Sequence, residues 1–245
     1  MDKKKDRDIE NALADIITER PHDIRIGRKT LRIYPVTLAK TFMLRRWMDA
    51  MDADMSVLRM NPYVECLRLA EKKPDIVSHI LAIHTAPNTR KDLHDSHGMT
   101  VRRNLLSSVR TEHLASLLMI VLTSDVTDVV GDYLGLDEEN RRLREVMKVK
   151  REHDKNNKSF GGVSVFGTFI GQLKEMGYSD EEIIFERGYS YLRLMLADKM
   201  TNVYLSDKEL ENLPSDLGGT LLDGDDDASF DVLSDLIRNG GVNKR

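Results

Sequence analysis

An abrupt change in hydrophobic periodicity near residue 36 constrains the fold of this 245-residue chain more than any other feature. Between residues 24 and 33 apolar and polar side chains alternate, and Gly27 interrupts the alternation at a turn. After Thr37 the apolar period becomes about 3.6 residues, which is the period of a helix. The sequence therefore predicts a β-hairpin that leads directly into an amphipathic helix.

Most of the remaining sequence has helical spacing or residues that favour helix boundaries. Asn61 precedes Pro62, which suits the first position of a helix, and Pro74 restarts a helix in the same way. The most hydrophobic helix is expected at residues 114–130, in the centre of the core. We predict a mainly α fold, consisting of a multi-helix body, a small N-terminal β-hairpin and a C-terminal helical hairpin.

Polar and glycine-rich stretches divide the chain into predicted parts. Residues 85–98 are predicted to be a loop, and residues 155–162 are predicted to be a linker. The linker separates residues 1–154, which comprise the hairpin and helical body, from a C-terminal helical hairpin at residues 163–213. Residues 214–245 are predicted to form an acidic flexible tail with a short amphipathic helix.

The C-terminal helical hairpin has boundary signals on both sides of its turn. Gly177 is predicted to be the C-terminal cap residue of the first helix. Ser179 and Glu182 have the spacing of a capping box, which opens the second helix. That helix is expected to continue through Leu196.

Charge is spread unevenly along a chain whose formal net charge is −4. Residues 141–158 contain eight lysines and arginines against three acids, and residues 207–238 contain ten acids against two bases. The basic segment lacks interleaved aromatic residues, so we do not expect it to bind nucleic acid. The acidic segment is expected to be solvated or to meet a basic partner.

No group of residues in the sequence predicts catalysis, a cofactor or a metal site. His94 and His97 could share an ion, but no second ligand pair with matching spacing follows. Residues 223–234 resemble a calcium loop, yet Ala228 stands where the turn requires glycine and Ser234 stands where glutamate is required. We therefore expect a protein that is not an enzyme and that holds neither a metal nor a cofactor.

Cys66 is the only cysteine, so no intrachain disulfide can form and a reducing compartment fits. We expect its thiol to be buried, and Val64, Leu67 and Leu69 to be the buried residues of the same helix. The N-terminus lacks a secretory signal, and the longest apolar run, residues 114–122, is too short to span a bilayer. These features predict a cytoplasmic protein with no membrane partner.

Two segments resemble the phage tail assembly chaperones, which are small proteins made just upstream of the tape-measure protein in long-tailed phages. The first segment is the hairpin at residues 24–34, followed by the step Pro35-Val36-Thr37-Leu38 into a helix. The second is MGYSDEEII at residues 176–184, followed by YLRLMLAD at residues 191–198. These segments are similar to the opening hairpin and the late helical pair of that family.

The resemblance implies a non-enzymatic chaperone that masks hydrophobic helices of the tape-measure protein and recruits tail tube subunits in the host cytoplasm. Leu-rich and Met-rich helix faces are adaptable enough to cover different apolar stripes. The predicted partner-binding residues are Leu44, Trp47, Met48, Met51, Phe230, Leu233, Leu236 and Ile237. The alternative is a structural subunit or a DNA-associated adaptor of a phage particle. The oligomeric state is left open, including a homo-oligomer.

Overall fold

The computed structural model describes residues 3–26, 29–153, 164–199 and 203–214. These residues are mostly helical and include a two-stranded antiparallel sheet, which confirms the predicted mainly α fold. The strands are β1 (His22–Ile26) and β2 (Lys29–Ile33). The helices are α1 (Lys3–Ile17), α2 (Leu38–Met51), α3 (Met55–Met60), α4 (Pro62–Lys72), α5 (Pro74–Thr85), α6 (Arg90–His94), α7 (Ser96–Ser107), α8 (Thr111–Thr123), α9 (Thr127–Tyr133), α10 (Leu136–His153), α11 (Gly171–Glu175), α12 (Tyr189–Ala197) and α13 (Asp207–Glu211).

The β-hairpin forms as its alternating pattern predicts. β1 pairs antiparallel with β2, and Ile24 lies opposite Leu31. Both of these side chains are partly buried against the main core. On the exposed strand face, Arg32 donates hydrogen bonds from Nε and Nη2 to the two carboxylate oxygens of Asp23, at 2.7 and 3.0 Å. The predicted turn at Gly27 lies outside the described residues.

Helix α2 begins where the period of the sequence changes. Thr37 is its N-cap, and the Thr37 hydroxyl accepts a hydrogen bond from the backbone N–H of Lys40 at 3.3 Å. A threonine in this position satisfies one of the free N–H groups of the first helical turn. The capped start therefore fixes the direction in which the chain leaves the hairpin.

Helices α4 and α5 each begin with a proline, as predicted. The side chain of Asn61 caps α4 by accepting a hydrogen bond from Val64 N at 3.3 Å. Cys66 and Leu69 are fully buried, but Val64 is 50% exposed, so its predicted burial is wrong. The reason is helical geometry: the buried face of α4 runs through residues 65, 66, 69 and 70, and Val64 lies beside it.

Helix α8 is the central helix of the main core and packs closely against α4 and α5. Its buried residues are Leu114, Ala115, Leu117, Leu118 and Val121. Within the described ranges, only the stretch Thr111–Tyr133 is long and apolar enough to cross a membrane, and the packing of α8 in the core accounts for its composition. The predicted single helix is divided after Thr123, because Asp125 Oδ1 accepts hydrogen bonds from both N and Oγ1 of Thr127 and starts α9.

The prediction of a loop at residues 85–98 is wrong, because α6 and the first turn of α7 occupy this segment. Two side chains cap these helices. Thr89 Oγ1 accepts from Asp92 N at 3.0 Å, and Asp95 Oδ1 accepts from Gly98 N at 3.0 Å. Polar residues that are typical of loops are here the N-cap residues of short helices.

The predicted turn of the C-terminal helical hairpin is confirmed. Gly177 has a φ of +95°, and its N–H donates to Lys174 O while Tyr178 N donates to Leu173 O, which is a Schellman ending. Ser179 and Glu182 form the expected capping box, since Ser179 N donates to the Glu182 carboxylate and Glu182 N donates to Ser179 Oγ. The helix before this turn begins with a π-helical turn at Phe166–Ile170.

The helix that follows the capping box is not continuous, so its predicted course through Leu196 is wrong. A π-helical turn at Glu182–Glu186 ends at Arg187, whose backbone is extended. Gly188 then forms a β-bridge with Thr37, and Tyr189 N donates to Val36 O. The helix breaks because this backbone pairs with the segment between β2 and α2 before α12 begins.

The chain divides into two units, and the predicted domain boundaries stay a prediction. The first comprises residues 1–130 and 161–196, and the second comprises residues 131–160 and 197–245. Among the contacts of residues 161–196 with the rest of the first unit, Gly188 pairs with Thr37, the N-cap of α2, and Glu181 forms an ion pair with Arg90 of α6 at 2.9 Å. In the second unit α10 packs against α13. The predicted linker at residues 155–162 lies outside the described residues.

Candidate protein-binding surface

Four large apolar side chains are exposed on α3 and the start of α4: Met55, Met60, Tyr63 and Val64. We call them the Met55–Val64 patch. Met60 is 80% exposed, Met55 is 56% exposed and Val64 is 50% exposed. All four lie within one short stretch of two helices that pack against each other. A concentration of this kind differs from isolated exposed side chains such as Phe42 and Val101, which are normal on protein surfaces.

The patch is exposed because α3 is too short to bury both of its methionines. The helix has six residues and contributes no buried residue to the protein. Its start is held by Asp54, whose Oδ1 accepts hydrogen bonds from Ser56 N at 2.9 Å and Val57 N at 3.2 Å. Leu58 packs against the main core, and this leaves Met55 and Met60 in solvent.

A buried carboxylate holds the segment that leads into α3. Glu65 on α4 is 1% exposed at its side chain, and it accepts a hydrogen bond from Asp54 N at 2.7 Å. Arg68 Nε also donates to this carboxylate, at 2.7 Å. The hydrogen bonds from Arg68, and then that from Asp54, lower the pKa of Glu65 against the opposing effect of burial. Glu65 is therefore ionised at neutral pH and ties α4 to the start of α3.

A lysine holds the other end of the same segment. Lys73 Nζ donates to the carbonyl oxygens of Met51 at 3.0 Å and Ala50 at 3.2 Å, at the C-terminal end of α2. A cation at this position satisfies free carbonyls and complements the helix dipole. Asp52 then turns the chain with a left-handed φ of 53°. Glu65 of α4 and Lys73, the residue that follows α4, therefore hold the two ends of the connection between α2 and α3.

The composition of the patch suits contact with another apolar surface. Each of its four side chains is at least 36% exposed, and exposed apolar patches on monomeric proteins are often functional. Methionine side chains are flexible and polarisable, so they can adapt to apolar surfaces of different shape. The hydrogen bonds of Glu65 and Lys73 hold the backbone on which these flexible side chains lie. This arrangement favours the binding of an apolar surface and not catalysis.

The predicted binding face on α2 lies elsewhere and is already packed. Leu44 and Met51 are 7% and 2% exposed and belong to the main core. Trp47 and Met48 are partly buried against the same core, and the Trp47 ring stacks on the ring of His79 with the centroids 4.0 Å apart. In this structure the face is occupied by the protein's own side chains, and Trp47 and Met48 are only partly exposed.

Residues 215–245 lie outside the described residues. They contain the other four predicted binding residues, which are Phe230, Leu233, Leu236 and Ile237. The structure therefore neither supports nor opposes a second partner at the acidic tail. The function predicted for this segment stays a prediction.

A second notable group surrounds the fully buried side chain of Lys40. Its Nζ donates a hydrogen bond to Ala86 O at 2.7 Å and lies 3.5 Å from His84 O, at the end of α5. The ring of Tyr34 lies 5.3 Å from the same nitrogen. No ion pair of Lys40 occurs in the part of the chain that the structure describes. Lys40 thus closes the C-terminal end of α5 with a charge that has no counterion there.

The cationic groups around Lys40 disfavour one another's charged forms. Burial, followed by the positive charge of Arg102, lowers the pKa of Lys40 to about 7. Burial and then the charge of Lys40 lower the pKa of His84 to about 3. Arg102 Nη1 donates to Thr85 O at 3.1 Å, so two cationic side chains contact the same helix end. Because the Lys40 amine is inaccessible, we assign this group to the structure of the fold and not to a reaction.

The described residues contain no cluster of three or more side chains that could hold a metal ion. His94, one of the two histidines considered above, lies with its ring edge against Phe185 at 5.8 Å between centroids. Comparison with protein families, with characterised proteins and with solved structures finds no match for this chain. The Met55–Val64 patch is therefore the feature from which we argue function.

Proposed function

We propose that this protein is a non-enzymatic assembly chaperone that binds and masks apolar helices of a protein partner. The resemblance to phage tail assembly chaperones names that partner as the tape-measure protein, with tail tube subunits recruited to the complex in the host cytoplasm. The observation that supports the binding activity best is the exposed Met55–Val64 patch, whose backbone is held by the hydrogen bond from Asp54 N to Glu65.

The proposed occupant of the patch is one amphipathic helix. A stable interface between two protein copies usually involves roughly 20–30 residues on each partner, whereas the patch consists of four exposed apolar side chains. A helix in a shallow apolar site contributes a few anchors at spacings of three or four residues. Met60 is the most exposed residue of the patch and lies between Met55 and Val64 in sequence. We therefore expect it to contact the central anchor residue of the bound helix.

The use of methionine fits a partner whose successive helices are not identical. A site built from branched side chains selects one shape, whereas methionine has three rotatable side-chain bonds and can repack. Met55 and Met60 supply this property on α3, while Tyr63 adds a rigid ring with a polar end. The expected binding is moderate in affinity and broad in specificity, as masking requires.

Co-expression with an apolar helical fragment of the tape-measure protein, followed by pull-down of the chaperone, tests the proposal. We expect the fragment to be recovered in the soluble fraction together with the full chain. The double variant Met60→Asp and Val64→Asp should lower that recovery at least tenfold, because it puts two charges into a contact that excludes water. The matched control is Val101→Asp, which changes a similarly exposed valine on α7.

The two parts of the proposal fail in different ways. If the wild-type chain does not enrich the soluble fragment, the chaperone function is refuted. If the double variant recovers as much fragment as the control does, the function stands but the patch is not its site.

The alternative of a DNA-associated adaptor would use the basic side chains of α10. Within that helix Arg141 pairs with Glu138 at 2.7 Å and Arg142 pairs with Glu139 at 2.9 Å. These exposed pairs neutralise part of the positive charge that a phosphate backbone would need. No observation favours this alternative, and it stays a prediction from the sequence.

A further inference from the structure

Three cations lie in a row on the exposed face of α10, in the second structural unit. Arg144, Lys148 and Arg151 are all exposed and follow one another at spacings of four and three residues, which places them on one face of a helix. Val146 and Val149, which are buried residues of the same helix, lie on the opposite face. We call the three cations the α10 stripe. It extends about 10 Å along the helix axis.

The α10 stripe carries positive charge that the described residues do not neutralise. In the first half of α10, Glu138 forms ion pairs with Arg141 at 2.7 Å and with Arg142 at 3.4 Å. In the second half, the acids are Glu145 and Glu152, which lie to one side of the stripe. Within the described ranges no carboxylate forms an ion pair with any of the three cations. The stripe is therefore suited to an anionic partner.

The chain itself brings an acidic segment within reach of the α10 stripe. Helix α13 packs against α10, and Lys150 Nζ donates a hydrogen bond to Tyr204 O, so the segment that precedes residue 215 lies beside α10. Residues 223–227 have the sequence Asp-Gly-Asp-Asp-Asp. The connection formed by residues 215–222 can span up to about 26 Å, which is more than twice the roughly 10–12 Å diameter of a helix.

We propose that residues 223–227 bind the α10 stripe of the same chain and shield it from other anionic partners. In an extended segment, alternate aspartates lie on one side at intervals of about 7 Å. This spacing is close to the rise of about 6 Å between Arg144 and Lys148. The contact lies within the second unit and is independent of the Met55–Val64 patch and of the function proposed for it.

The position of the acidic segment in the same chain favours it over a separate acidic protein. Each exposed ion pair contributes only about 0–1 kcal/mol, so a free peptide with a few such pairs binds weakly. A short connection raises the effective concentration of the tethered segment to roughly millimolar. Several weak pairs are then sufficient to populate the contact, and another anionic partner has to displace the segment before it binds.

Zero-length carbodiimide crosslinking of the full chain tests the contact, because this reagent joins a lysine amine only to a carboxylate that touches it. Peptide mass spectrometry should find Lys148 joined to an aspartate of residues 223–227 at low salt. The yield should fall severalfold at about 1 M NaCl, where the Debye length is about 3 Å. Lys72, an exposed lysine of α4, is the control and should not form this link. In a mixture of isotope-labelled and unlabelled chains, each linked peptide should carry a single label state.

Variants of exposed residues separate the α10 stripe from general electrostatic attraction. The double variant Arg144→Glu and Arg151→Glu should lower the yield of the Lys148 link roughly fivefold or more, since it reverses the two neighbouring charges. The matched control, Arg45→Glu with Arg59→Glu, makes the same change in net charge on α2 and α3 and should leave the yield unchanged. Circular dichroism checks that each variant remains folded.

Shielding is measured by elution of the full chain from immobilised heparin, which is a polyanion. Replacing the four aspartates of residues 223–227 with asparagine should raise the NaCl concentration needed for elution. Adding Arg144→Glu and Arg151→Glu to that variant should remove the increase. Adding Arg45→Glu and Arg59→Glu in their place should preserve most of it.

The proposal is overturned if Lys148 is not linked to residues 223–227, or if Lys72 is linked to them as often. It is also overturned if the linked peptides mix the two label states at random, because the occupant would then be a second copy. Equal losses of yield in the α10 variant and in its control would mean that the link reports net charge alone. Equal elution of the asparagine variant and the wild type would refute the shielding.

Discussion

Replacing Lys40 with methionine should remove most of the dependence of folding stability on pH between pH 7 and pH 9. Lys40 is fully buried, and its ammonium group contacts carbonyl oxygens but has no counterion within the described residues. Methionine has a similar length and no charge, so it preserves the packing while it removes the titration. The exposed lysine of α4, Lys72, provides the matched control Lys72→Met.

The magnitude follows from the two pKa values of Lys40. The group titrates at its ordinary value of 10.5 in the unfolded chain and at about 7 in the folded protein. Between these values the unfolded state binds more protons, so the free energy of unfolding increases as the pH rises. The whole effect is on the order of 5 kcal/mol, and the part that falls between pH 7 and pH 9 is about 2 kcal/mol.

Urea unfolding at pH 7, 8 and 9 measures this increase, because urea does not change the ionic strength. Far-UV circular dichroism follows the helices, and the fluorescence of Trp47, the only tryptophan, follows the main core. Wild type and Lys72→Met should each gain about 2 kcal/mol across this range, and Lys40→Met should gain much less. His84 does not interfere, since its lowered pKa of about 3 affects stability only in acid.

Two results would refute this reasoning. If wild-type stability does not rise between pH 7 and pH 9, the pKa of Lys40 is not lowered in the folded protein, and the argument from its burial is wrong. If Lys40→Met rises as much as the wild type, another group is responsible for the change.

Two further predictions concern the mounting of the candidate surface and the turn of the C-terminal hairpin. Glu65→Gln should lower the free energy of unfolding by roughly 1–3 kcal/mol at pH 7, because Arg68 and Asp54 N lose a buried ionised acceptor. Since the pKa of Glu65 is lowered on folding, this difference from wild type should shrink in urea titrations as the pH falls below 4.5, and a constant difference would contradict the assignment. Gly177→Ala should cost about 1 kcal/mol by thermal unfolding, because φ is +95° there. Gly131→Ala, in open space on α9, is its control and should not destabilise; equal losses in both variants would contradict the Gly177 argument.

Local patterns were sufficient to predict the elements whose form depends on their own residues. The hairpin alternation, the proline starts of α4 and α5, and the Gly177 turn each depend on neighbours within a few positions, and each is confirmed. The loop predicted at residues 85–98 failed for the opposite reason. Thr89 and Asp95 are typical of loops and of N-caps alike, and only the packed helices distinguish the two.

The candidate surface could not be located from the sequence, because hydrophobic periodicity indicates an apolar face but not what covers it. The apolar face of α2 is covered by the core, so Leu44 and Met51 are buried. Met60 and Val64 lie on either side of Asn61, where α3 ends and α4 begins, so the hydrophobic period of one helix does not extend across both residues. Both side chains are exposed. The break in the helix at Gly188 could not be predicted from the sequence either, because it depends on a β-bridge to Thr37, which is distant in sequence.

Site-specific photo-crosslinking tests most directly the central claim that the Met55–Val64 patch binds a helix of a partner protein. A photoreactive amino acid is placed at position 60 in one sample and at position 101 in another, and each chain is co-expressed with an apolar tape-measure fragment. Both positions are more than half exposed, so reactivity with solvent is similar at the two sites. The account predicts a crosslink to the fragment from position 60 and little or none from position 101. A crosslink from position 101 with none from position 60 would contradict it.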